Sequence, residues 1–171
     1  MQAEPTNPRD FHHQDDSRSG DHRKFGPIGR VVIELIDHKD QRYETAGDWY
    51  RSYEPANYRR YITKGKDECT LNVRASRLTH DPENLFALAV AYHELGEALA
   101  CLANGIDEHA VDHFDVNYKG KGEPGDSPHA PYARQHNFAS ACEAILIGAM
   151  GLSWGLYEKA IESLPKWRKK K

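Results

Sequence analysis

Residues Phe86 to Gly105, FALAVAYHELGEALACLANG, are the most apolar run in the chain, and they carry His93, Glu94 and Glu97 in their middle. Without those three, only Gly96 and Asn104 interrupt about twenty residues suited to a buried helix. Ionisable groups in a core cost several kcal/mol unless they are paired, hydrogen-bonded or bound to a metal. Any fold of this chain must therefore bring compensating partners to that helix.

The flanks define its ends. In THDPENLF, Asp81 is placed as an N-cap with Pro82 at the first helical position, and Asn104 with Gly105 makes the stop. The pattern predicts a helix of about 23 residues, about 35 Å long. His93 and Glu97 are four apart and share a face with Ala89, Val90, Ala100 and Cys101. An imidazole and a carboxylate one turn apart can hold a divalent metal without distorting a helix. Glu94 points about 100° away, close enough to address a water on that metal. Gly96 costs about 1 kcal/mol against alanine in mid-helix, which predicts close packing there. A buried His–Glu hydrogen-bonded pair is the plainer account, but three ionisable groups within five residues weigh toward a functional site.

Further candidates follow downstream. A short helix capped by Asp107 carries Asp112, His113 and Asp115, with Asp115 eighteen residues after Glu97. The loop YKGKGEPGDSPHAPY is too rich in Gly and Pro to be regular. A third helix, from near Pro131 to about Met150, places His136 and Glu143 seven apart on one face in apolar surroundings. A fourth, from a Ser153 cap, covers WGLYEKAIESL. These positions predict convergence of His93, Glu97 and His136 within metal-coordinating reach, with Asp115 or Glu143 as an added carboxylate. The cation is expected to be divalent, zinc first, with Mn, Fe or Mg as alternatives.

Before the long helix the periodicity changes. Arg30 to Asp37 is short and β-branched, the tyrosine-rich segment from Tyr43 to Lys64 supplies one or two strands, and Thr70 to Leu78 alternates like a half-buried strand. The expected fold class is α+β: a small antiparallel sheet over 30–78 followed by a helical bundle, together one domain over 30–164. Residues 1–29 hold almost no aliphatic side chains and read as a disordered arm, and residues 165–171 as a basic tail. His12, His13 and His22 lie in that arm, which does not preorganise ligands.

A net charge of -3 offers no basic field to draw nucleic acid. The three cysteines (Cys69, Cys101, Cys142) form no C-x-x-C pair and suit a reducing compartment. There is no apolar signal core at the N-terminus and no charge-free run of membrane-spanning length. A cytoplasmic location and no membrane partner are expected.

A sheet ending in an amphipathic edge strand, then a helix bearing H-E-x-x-[ligand], resembles the zincin metallopeptidases, of the gluzincin type. The resemblance implies His93 as a ligand, Glu94 as the general base and Asp115 as a downstream acid ligand, with a peptide or protein as substrate. Glu97 stands where that family has its second histidine, and His136 could restore nitrogen ligation. The stretch from HELGEALACLANGI through HFDVNY and GEPGDSPHAPYARQH to the SW..Y segment also resembles small proteins encoded by tailed phages, which implies a host cytoplasm and no particular activity. Glu94-x-x-Glu97 followed by Asp112-x-x-Asp115 resembles the acidic pattern of MazG-like nucleoside triphosphate pyrophosphohydrolases, which hold Mg²⁺ on oxygen ligands alone. A third reading is a non-catalytic, metal-stabilised phage protein that binds a host partner, with coordination closed and Glu94 idle.

Overall fold

The structure, a computed structural model, describes residues 27–52 and 68–166. Residues 1–26 of the expected arm and 167–171 of the expected tail lie outside the described residues, as do His12, His13 and His22. Ile28 and Gly29, assigned to the arm from composition, instead open the first strand.

Three strands form the described sheet: β1 (Ile28–Ile36), β2 (Gly47–Ser52) and β3 (Cys69–Ser76), in the order β1-β3-β2. The α+β class holds, but the sheet is mixed rather than antiparallel. β3 pairs with β2 antiparallel and with β1 parallel. Side-chain alternation reports which face a residue takes and is blind to strand direction, so the pattern alone could not distinguish the two. The expectation that Thr70 to Leu78 forms an edge also fails. β3 is the central strand, with both ladders occupied, so it cannot take up an extended peptide. Its alternation is nevertheless as expected. Leu71, Val73 and Ala75 are fully buried, while Arg74, on the other face, pairs with Glu34 and lies 5.1 Å from the Tyr50 ring centroid.

The long helix, α1 (Leu85–Ala103), packs on β3 and β2, with Val90, Ala91, Ala98 and Cys101 in one core cluster with Trp49, Leu71, Val73 and Ala75. Small side chains on that face let the helix lie close to the sheet. It covers β1 much less. Val31 and Ile33, in register with Leu71 and Val73 and so on the same face, remain 44% and 47% exposed.

α1 is shorter than the sequence predicts. Residues Pro82–Asn84 form a 3-10 turn in which Glu83 and Asn84 take left-handed backbone (φ 53° and 61°). This detour lets the Asp81 carboxylate accept from the backbone N–H groups of Phe86 and Ala87, so Asp81 still caps the helix, from outside its first turn. By length and composition the segment Pro82–Ala103 could span a bilayer, yet half of it is buried in protein. It passes that test because a core helix and a membrane helix share a composition.

Three helices follow: α2 (Glu108–Asn117), α3 (Ala133–Ala149) and α4 (Trp154–Glu162). Asp107 caps α2 by accepting from the Ala110 N–H, as its sequence position indicates. The loop before α3 contains a 3-10 turn at Pro124–Asp126. α3 packs against α1, and the two run antiparallel: His93 meets Glu143 and Glu97 meets His136.

Gly96 faces that seam without being required by it. A Cβ added there would meet the Ala139 Cβ at 3.9 Å, an ordinary contact, so the close approach expected from sequence is absent. Gly96→Ala is therefore expected to stabilise the protein by about 0.5–1 kcal/mol through helix propensity. Chemical denaturation checks this, with a raised midpoint as the expected result.

Candidate metal centre

Each functional side chain owes its place to helix periodicity. His93 and Glu97 sit one turn apart on α1, and His136 and Glu143 sit two turns apart on α3. Because the helices are antiparallel, the two pairs interleave. His93 Nε2 lies 3.3 Å from His136 Nδ1, and His136 Nδ1 lies 3.0 Å from Glu97 Oε2. The third separation, His93 Nε2 to Glu97 Oε2, is 3.7 Å. Donors bound tetrahedrally at the usual zinc distances stand about 3.3 Å apart, so these three atoms form nearly one face of such a tetrahedron. The group could hold a metal ion, and all three residues are buried.

Supporting contacts fix each donor. His93 Nδ1 lies 3.3 Å from Glu143 Oε2, and the Tyr157 hydroxyl donates to the other oxygen of Glu143. Carboxylates in this position set the tautomer and orientation of a metal-bound imidazole. The Trp49 indole N–H donates to Glu97 Oε1 at 3.2 Å, leaving Oε2 toward the histidines. His136 Nε2 faces Glu123 and Asp126 at 3.6 and 3.5 Å. The Gly125 backbone lies against the His136 ring, where an added Cβ would come within 2.4 Å of Cγ.

The remaining candidates are arranged around this group. Glu143 touches the far nitrogen of His93, outside the three converging donors. Asp115 accepts from the Tyr132 hydroxyl and lines the same cleft without joining them. Asp112 is held by two hydrogen bonds from Arg42, and His113 is exposed. Glu94 is packed beneath Gly47, where a Cβ would fall 2.6 Å from its Cγ. Both residues line a cleft of about 710 Å³ that also reaches His93, Glu97 and His136.

Trp49, Tyr132, Tyr157 and Gly125 did not emerge from the sequence as site residues. A buried indole or phenol needs a hydrogen-bond partner, and that need was the available signal. Nothing in a one-dimensional pattern says which carboxylate answers it.

Electrostatics follow from this packing. For His93, burial opposes the charge. Hydrogen bonds to Glu143 and Glu97, with the charges of Glu94 and Glu143, outweigh it and raise the pKa from 6.5 to about 11. Burial also works against ionised Glu97, but its bonds to His136 and His93 bring it from 4.5 down to about 2. Glu94 goes the other way. Burial, then repulsion from Glu97, pushes it well above the ordinary carboxylate range. Asp115 is raised by burial to about 6. Without metal these contacts favour the charged form of His93 between its carboxylate neighbours.

A raised histidine stabilises the fold below its unfolded pKa and loses that contribution as pH rises from 6.5 toward 11. A depressed carboxylate stabilises above its unfolded pKa and loses that contribution as pH falls from 4.5 toward 2. The joint contribution of His93 and Glu97 is therefore greatest between pH 4.5 and 6.5, and the raised Asp115 and Glu94, which lose stability as pH rises, shift the optimum toward the lower end of that window. Chelator-treated protein is expected to lose stability from there toward alkaline pH, as melting curves would record.

No family model, curated protein or solved structure matches the chain.

Proposed function

We propose that the chain is a metal-dependent hydrolase of zincin-like design acting on a peptide or protein. The observation that carries this reading is the donor set: two imidazoles and one carboxylate, 3.0 to 3.7 Å apart, at a cleft. Catalytic zinc sites use that combination with a fourth position left for water or substrate, whereas structural sites close the shell. Zinc is the cation this set suits first, and the carboxylate also admits Mn or Fe. Glu143 takes the part of an orienting group for His93, and Asp115 lies beyond the donors.

When bound, the cation supplies Lewis acidity toward a carbonyl oxygen and lowers the pKa of a coordinated water. Glu94, on the wall of the same cleft, is assigned as the side chain that would take a proton from the attacking water. Its raised pKa moves it toward the operating range of a general base. Substrate alignment is assigned to the cleft walls rather than to strand addition. β3 has no free edge, and on β2 the carbonyls of Gly47 and Trp49 already accept from Thr45 and Arg42.

The pyrophosphohydrolase reading has less support. Asp112 is committed to Arg42, and magnesium on oxygen ligands leaves His93 and His136 without a part. The cleft also carries Glu44, Glu123, Asp126, Glu158 and Glu162 against Lys166, which suits a polyphosphate poorly.

Two substitutions separate catalysis from metal holding. Glu94→Gln is expected to keep metal content and melting temperature while lowering peptide hydrolysis by about 10²–10⁴-fold. Glu97→Gln is expected to lose metal and stability together. Metal analysis, melting curves and a fluorogenic peptide library on both variants give the answer. Equal metal loss in the two would make Glu94 a ligand and overturn the zincin reading. Retained metal with no turnover in the parent would favour a binding protein.

A further inference from the structure

The side of the α1–α3 pair turned away from the metal centre is apolar and is left uncovered by the described residues. On α1, Leu88, Tyr92, Leu95 and Leu99 fall within about 60° of arc, and on α3 Phe138, Cys142 and Ile145 do the same. Leu88, Tyr92 and Leu99 are 42%, 46% and 48% exposed, and Phe138 and Ile145 are 57% and 71% exposed. Counted around each helix from the site residues, the stripe lies beyond Gly96 on α1 and beyond Ala139 on α3. Those two residues mark the seam, so both stripes flank its same side. Val31 and Ile33 of β1 are exposed on the sheet face that carries α1, left open because α1 covers β3 and β2.

We infer that this surface is the interface of a symmetric homodimer, in which the α1–α3 pairs of two copies pack face to face. Three observations select a second copy as the occupant. First is the area. Fractional exposures of Leu88, Tyr92, Leu99, Phe138 and Ile145, taken with those of Val31 and Ile33, correspond to roughly 700 Å² of surface, more than a monomer ordinarily leaves in one patch. It is close to the roughly 800 Å² per partner of a standard stable interface. Second is charge. The charged residues of the two helices (His93, Glu94, Glu97, His136, Glu143) lie outside the stripes except Arg134, which borders the α3 stripe one turn before Phe138, so the surface carries little to select a charged partner. A neutral patch is complementary to itself, as a two-fold interface requires. Third is shape: two antiparallel helices with an apolar stripe beside their seam form half of a four-helix packing unit. A lipid surface is disfavoured because helices that lie in the interfacial plane carry a rim of Lys and Arg, and here Arg134 stands alone on the two helices.

The test is sedimentation velocity on the full chain at micromolar concentration. The expected species is a dimer, twice the 19.4 kDa of one chain. Ile145→Lys and Leu99→Glu should each weaken association at least tenfold with unchanged helical circular dichroism. Val116→Lys, 58% exposed on α2 and off the patch, should leave it unchanged. Ile145 is the safer of the two positions because its side chain is mostly in solvent already. A parent that stays monomeric overturns the inference, as does a dimer that survives both substitutions. Two further results would also overturn it by naming another occupant. Dimerisation that appears only after deletion of residues 1–26 would assign the patch to that segment. Monomers that co-sediment with phosphatidylcholine vesicles, and lose that property in Ile145→Lys, would assign it to lipid.

Discussion

The contact on which this structure depends is the interleaving of His93 and Glu97 of α1 with His136 and Glu143 of α3. Each helix alone would bury two ionisable groups at a cost of several kcal/mol, and neither could stand in a core. Brought together antiparallel, each imidazole finds a carboxylate and each carboxylate a donor. The same arrangement that satisfies these groups presents three donor atoms to one point. Helix pairing and cation binding are thus one geometric solution, in which an ion would replace the proton that His93 otherwise carries.

Around that core, other elements act as braces. β2 contributes Trp49 to Glu97, α4 contributes Tyr157 to Glu143, and the loop before α3 presses Gly125 on His136. Each comes from a different part of the chain, so the donors are held by the tertiary structure as a whole. Glu94 differs from them: it borders the cleft beside Gly47, with no hydrogen bond to its side chain among the described residues. A carboxylate left without a partner there is available to accept a proton, which is why the proposed base is Glu94 and not Glu143.

Much of this was legible in the sequence because helix periodicity is strict. The four-residue spacing of His93 and Glu97 and the seven-residue spacing of His136 and Glu143 set their shared faces before any fold was known. So did the alternation of Leu71, Val73 and Ala75. Strand order and direction were not legible. The pattern of β3 fits an edge or a centre, and only the arrival of β1 in parallel register decides it. The helix start was missed for a local reason. Asp81 does cap α1, but the left-handed turn at Glu83 and Asn84 puts it further from the helix than a standard cap. The aromatic braces were invisible because a tryptophan on a strand does not announce which carboxylate it will meet.

The central claim is that His93, Glu97 and His136 hold one divalent cation with a coordination position left open. Anomalous diffraction from a crystal grown with zinc, measured on both sides of the zinc absorption edge, tests it most directly. The account predicts a single strong peak about 2.0–2.2 Å from His93 Nε2, His136 Nδ1 and a Glu97 carboxylate oxygen, with solvent completing the shell. A peak ligated by Glu94 or Asp115 in place of a histidine, or no peak at these three residues, would contradict it.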